Sequence, residues 1–294
     1  TGAIAERVNF SSWIIILALW SLIVYIPVAH WEWGPEGLLA TLGAIDFAGG
    51  LVVHITSGFS ALVAALMYGK RINAGEMKPH DVSMILLGAA LLWFGWFGFN
   101  AGSAIVSGSL SAHAFITTFI GASVAFVTWM IVDWIASGKP TATGSAIGIV
   151  VGLVCITPAA GYVTIKSAML MCFVAGVLCN ISSRYLKRIT KLDDTLDVFA
   201  CHGLGGVIGS ILTGVFANKL VNSSIVDEGI LVSGDSKLFI ANLIAVVVVA
   251  LYSVLATYII IKSVNFFIKV RVSKDAEKEG LDPSLHGEAK HSKE

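Results

Sequence analysis

Charged residues are scarce in this chain. Asp, Glu, Lys and Arg make up 13% of its 294 residues, against 56% hydrophobic ones. A soluble domain carries nearer a quarter charged residues, so the composition excludes a water-soluble globule. Acids and bases balance to a formal net charge of zero, and no basic cluster offers a footprint for nucleic acid. The four cysteines, Cys155, Cys172, Cys179 and Cys201, lie in apolar runs. Their spacing fits neither a zinc site nor a disulfide framework, and they read as small buried side chains. Ten-residue alternating strands are also missing, which excludes an outer-membrane type of β-barrel. The first residue is Thr1 rather than Met, with no charged leader and no cleavage site, so no signal peptide is visible. Thr1-Gly-Ala-Ile-Ala reads as the last turn of a helix whose beginning is absent. The expectation is a fragment without its natural N-terminus.

What the chain has instead is long continuous apolar runs. A spanning helix needs about 20 mostly apolar residues. Candidate spans are 13–29, 45–68, 82–104, 112–136, 144–160, 167–184, 197–216 and 238–264, eight in all. The fold class is therefore all-α, a polytopic membrane helix bundle. Connections 69–81, 137–143 and 185–196 and the tail after Phe267 carry the basic residues, and the alternate connections are poor in them. By the positive-inside rule the basic set is cytoplasmic, so residues 1–271 form the membrane domain and 272–294 a polar cytoplasmic tail.

Two histidines interrupt this apolar pattern, each following an aspartate: Asp46-Phe-Ala-Gly-Gly-Leu-Val-Val-His54 and Asp197-Val-Phe-Ala-Cys-His202. A titratable side chain at bilayer depth is costly unless it faces the protein interior or a pathway. Small residues follow both at +4, +7 and +11: Gly58, Ala61 and Ala65 after His54, Gly206, Gly209 and Thr213 after His202. Those offsets make one helix face, and a stripe of small residues lets a neighbouring helix approach closely. Paired neutral imidazoles in a dry path suit proton transfer, since each ring offers one donor and one acceptor. The bland alternative is a helix-to-helix hydrogen bond. A metal site would want a third ligand, and only Cys201 and Asp46 are at hand.

Asp46 and Asp197 each head a span, where a carboxylate accepts backbone N–H groups; for Asp46 those of Gly49 or Gly50 are the expected donors. The Asp46 carboxylate could also stabilise an incoming cation. The outer connection holds His30-Trp-Glu-Trp-Gly, in which Trp31 and Trp33 read as interfacial belt residues or as a cation–π platform at a pore mouth. Trp93-Phe-Gly-Trp-Phe-Gly-Phe99-Asn-Ala-Gly-Ser103 ends another span at the outer side, as belt or gate.

Together these residues resemble the ammonium transporter family, Amt/Mep/Rh. The resemblance rests on Gly-Ala-Ile-Ala-Glu-Arg at 2–7, the block 43–54, Gly-Phe-Asn-Ala-Gly-Ser at 98–103, Asp-Asp-x-x-Asp-Val-Phe-x-x-His-Gly at 193–203 and Gly-Leu-Asp-x-x-x-His-Gly-Glu at 280–288. It runs along nearly the whole chain and fits the Amt branch better than the Rh branch. The resemblance implies a fold of eleven spanning helices, of which this chain keeps about eight, assembled as homotrimers with a pore through each subunit. It implies a transporter rather than an enzyme, without a cofactor, in the cell membrane. His54 and His202 then match the twin pore histidines, Trp33 and Ser103 the outer recruitment site, Phe99 a gate phenylalanine and Asp46 the family's conserved aspartate. Implied partners are ammonium or ammonia, the lipid bilayer and a PII signalling protein at the cytoplasmic tail. The tail ends Ala-Lys-His-Ser-Lys-Glu, where many relatives have Ala-Tyr after the Gly-Glu. The alternatives are a membrane ammonium sensor of the same fold and an intramembrane metalloenzyme.

Overall fold

The computed structural model describes residues 1–74, 79–189 and 192–288. The divergent end of the tail, 289–294, therefore lies outside the described residues. Helix α1 (Phe10–Trp20) runs through a π-helical turn, Ser21–Tyr25, into α2 (Ile26–Trp33), with α3 (Leu38–Leu42) beyond. A second π-helical turn, Gly50–Ile55, leads into α4 (Thr56–Tyr68). Then come α5 (Val82–Gly102), α6 (Ser109–Ser137), α7 (Ala142–Ile156) and α8 (Ile165–Ile189). A third π-helical turn, Phe199–Leu204, opens α9 (Gly205–Phe216). The short α10 (Ile230–Ser233), the long α11 (Lys237–Phe267), α12 (Lys274–Glu279) and a last π-helical turn, Asp282–His286, follow.

Local chemistry sets these boundaries. The Asn9, Asp81 and Thr141 side chains accept the N–H groups of Ser11, Met84 and Gly144 and so cap α1, α5 and α7. Gly138 ends α6 in the left-handed region at φ 76°. Membrane helices must satisfy their polar groups internally. Within α6, Thr118 and Ser123 donate back to the carbonyls of Ala114 and Phe119 at 2.6 and 2.8 Å, while Thr117 reaches across to Ala160 at 2.9 Å.

Among the described residues seven helical segments are long and apolar enough to cross a membrane. The fifth expected span, 144–160, is only partly helical: α7 has 15 residues, and 157–163 continue as mostly buried turns. Pro158 explains the stop, because proline has no N–H to continue the helix's hydrogen-bond ladder. The expected helix starts at 45 and 197 move to Gly50 and Phe199 because the residues before them are folded around aspartates.

Packing is closest around α7, whose apolar residues face neighbours on all sides, the pattern of a central helix. A side chain at Gly152 would lie 2.4 Å from the Gly121 carbonyl of α6. Asn242 of α11 joins the two histidine-bearing segments: its Oδ1 accepts from Ile45 N–H at 3.0 Å and its Nδ2 donates to Ser210 O at 2.9 Å.

At one end of the bundle lies an ionic hub. Arg7 is fully buried and donates to the carbonyls of Ala3 and Asp193 and to Thr195 Oγ1. Arg71 binds Asp193 with two side-chain N–H groups, at 2.8 and 2.9 Å, and pairs with Glu6. The described part of the tail docks here, since Arg271 donates to the carbonyls of Tyr68 and Lys70 and pairs with Glu277 at 2.8 Å. Burial alone would raise the Asp193 carboxyl, but the hydrogen bonds and charge of Arg71 outweigh it and hold the group below the usual carboxylate range. A depressed folded value gives stability that is fully present above the unfolded pKa, about 4. That stability is lost as pH falls through the folded value. Melting curves of Asp193→Asn are therefore expected to show a lower midpoint at neutral pH than the parent. The gap should close as the pH drops below 4, roughly the carboxylate range; a constant gap would contradict this assignment.

Candidate functional site

Each of the two histidines lies on a π-helical turn, His54 on Gly50–Ile55 and His202 on Phe199–Leu204. Single π turns inside helices occur often at functional sites. At the end of the first turn Thr56 Oγ1 donates to Val52 O at 2.7 Å and Val53 O at 3.0 Å.

The rings meet. His54 Nδ1 lies 3.2 Å from His202 Nδ1, with centroids 5.3 Å apart. Two Nδ1 atoms at that distance share one proton, so the neutral pair is polarised. The ring that carries the shared proton exposes an acceptor Nε2, and the other exposes a donor Nε2. His54 is 2% exposed and its Nε2 has no hydrogen-bond partner. One end of the pair is thus a buried, free imidazole nitrogen.

The small-residue stripes account for the approach. A Cβ at Gly58, four residues after His54, would lie 2.1 Å from the Gly203 nitrogen. One at Gly206, four residues after His202, would lie 3.0 Å from His54 Cβ. Each stripe therefore receives the other histidine's segment.

Aromatic rings wall the His54 side. Trp96 stacks on His54 at 5.4 Å and 18°, and its Nε1 donates to Thr157 Oγ1 at 2.9 Å. Phe99 lies 6.3 Å from His54 and 5.5 Å from Trp96. Of this wall, only Phe99 was picked out from the sequence. Trp96 lies three residues earlier on the same face of α5, a spacing that was available in the aromatic run.

Asp46 is wrapped by the start of the first histidine segment. Its Oδ1 accepts from Gly49 and Gly50 at 2.8 and 2.7 Å, and its Oδ2 from Leu51 and Val52 at 2.7 and 3.2 Å. Its backbone oxygen accepts from Trp33 Nε1 at 2.9 Å, which fixes the half-exposed indole over this turn. Ser103 ends α5 and donates to Phe99 O at 2.9 Å. At the second segment the N–H of Phe199 is accepted at 2.7 Å by Asp194, three residues before the aspartate expected there. Asp197 itself has φ 55° and accepts from Ser183 Oγ at 2.9 Å. Among the described residues no group of three His, Cys, Asp or Glu side chains could hold a metal ion.

Residues 1–291 match the model of the Ammonium Transporter Family. The chain belongs to that family. It is 45% identical over 295 residues to ammonium transporter Amt1 of Archaeoglobus fulgidus, covering 99% of this chain and 73% of that protein. Among solved structures, Mep2 of Saccharomyces cerevisiae superposes with a TM-score of 0.87 at 39% identity, over 93% of this chain and 63% of that one. A structure described as a sensor Amt protein superposes with a TM-score of 0.88 at 32% identity, over 97% of this chain and 72% of that one. Family membership and the apolar helices make this a multi-pass integral membrane protein.

Proposed function

We propose that the natural full-length protein carries ammonium across a cell membrane, and that His54 and His202 line its passage. The observation that carries this reading is the imidazole pair, 3.2 Å apart on two π-helical turns beside an aromatic wall. Ammonium and potassium have similar size and charge, so a ring of carbonyls would separate them poorly. Ammonium differs in donating directed hydrogen bonds and in being able to lose its proton. A dry passage past Phe99 and Trp96 opposes any bare charge. Ammonia crosses it when the proton is left behind or relayed, with the histidine pair supplying a donor and an acceptor on the way. Potassium has no neutral form. Trp33 offers a cation–π face for recruitment, Ser103 a hydroxyl acceptor, and Phe99 closes the way inward. Asp46 serves by holding the Gly49–Val52 turn under Trp33, and Asp197 by anchoring the second segment to α8.

The same reading includes homotrimeric assembly, a cytoplasmic C-terminal side and a PII-type signalling protein as partner. The likeness to the sensor Amt protein favours one second reading, in which the same passage reports ammonium through the docked tail. Ammonium uptake into proteoliposomes tests transport. Trp33→Ala and Ser103→Ala are expected to raise the half-saturating ammonium concentration about tenfold, equivalent to about 1.4 kcal/mol of lost recruitment, with a smaller change in maximal rate. Unchanged concentration dependence in both would remove the recruitment site.

A further inference from the structure

Glu32 precedes Trp33 at the end of α2, and its position is unusual for an acidic residue. It is 5% exposed, and its Oε2 has no hydrogen-bond partner. Among the described residues no cationic side chain forms an ion pair with it. Its direction follows from the helix. Glu32 shares the buried face of α2 with Val28, one turn away, and Val28 packs in the cluster that contains Leu51, Val52 and Ile55. The carboxyl is within electrostatic reach of Asp46, the residue whose backbone anchors Trp33.

The Asp46 carboxylate beside it is itself held by four backbone N–H groups. A buried carboxylate is costly without a partner, and buried charges are normally paired. Among the described residues no cation pairs with it, while the neighbouring residue is the indole that would receive one.

We propose that Glu32 is a cation-binding residue at the outer end of the passage, accepting N–H bonds from ammonium once it has reached Trp33. This rests on the transport reading above and adds a ligand to it. A carboxylate attracts any small cation, so Glu32 sets the affinity of the outer site, and discrimination is left to the dry segment beyond.

The test is ammonium uptake by the natural full-length protein in proteoliposomes, with Glu32→Gln and Glu32→Asp beside the parent. Glutamine matches the shape of the protonated acid, so a merely structural role would leave transport unmoved. The expected result is a half-saturating concentration raised at least tenfold in Glu32→Gln with the maximal rate within twofold, and a smaller rise in Glu32→Asp. The same half-saturation in the parent and Glu32→Gln would overturn the proposal. If the glutamine variant fails to assemble, Glu32→Asp decides, because an unchanged value there also overturns it. A parent that takes up no ammonium would instead bring down the transport reading itself.

Discussion

Gly58→Ala is expected to cost the protein most of its transport. The added Cβ would lie 2.1 Å from the Gly203 nitrogen and 2.2 Å from its Cα. Both atoms are backbone of the π-helical turn that carries His202, so no side chain can swing aside. The two segments must separate by more than an ångström to reach ordinary contact, and the 3.2 Å bond between the imidazoles cannot survive that. Overpacking of this kind costs about 1–3 kcal/mol, occasionally more. A tenfold or greater loss of ammonium flux is expected, together with a lower melting midpoint of the purified protein. Gly95→Ala is the control, since a Cβ there meets nothing within 4 Å. Equal flux and melting in the two variants would mean that the close approach does not hold the pair.

Asp46→Ala is the second change expected to act strongly, through folding rather than chemistry. It strips acceptors from four buried N–H groups at once. A buried donor left unsatisfied costs about 1–3 kcal/mol. At membrane depth water is scarce as a substitute. The turn that anchors Trp33 and launches the His54 segment would open. Asp46→Asn keeps one acceptor oxygen for two of the donors, so it should assemble in higher yield and melt higher than Asp46→Ala. Size-exclusion profiles and melting curves of both variants check this. If both assemble like the parent yet transport nothing, the carboxylate acts directly on the substrate and its structural assignment is wrong.

Much of this site was readable before any coordinates. An Asp-to-His segment followed by small residues occurs twice, and the offsets of Gly58 and Gly206 carry the geometric reason for the contact. Three features were not readable. The π-helical turns add one residue to a helix, and apolar periodicity is too coarse to register a single residue in runs that are apolar on every face. The roles of Asp194 and Asp197 depend on where the turn begins, which three closely spaced aspartates do not reveal. Arg7 finds Thr195 across 188 residues of chain, and no local pattern announces such a pairing. Glu32 was in plain view between two tryptophans, but only burial and an unpartnered oxygen distinguish it from an ordinary surface acid. The fifth apolar run was short for a span, and Pro158 was the visible warning that its helix would end early.

The most direct test of the central claim is a simultaneous record of flux and current from the natural full-length protein in proteoliposomes, with ammonium and then potassium as the only permeant cation. The account predicts ammonium flux well above protein-free vesicles and no potassium flux or current above that background. It further predicts that the ammonium flux collapses when His54 and His202 are both replaced by alanine. Potassium current equal to that of ammonium, or undiminished ammonium flux in the double variant, would contradict it.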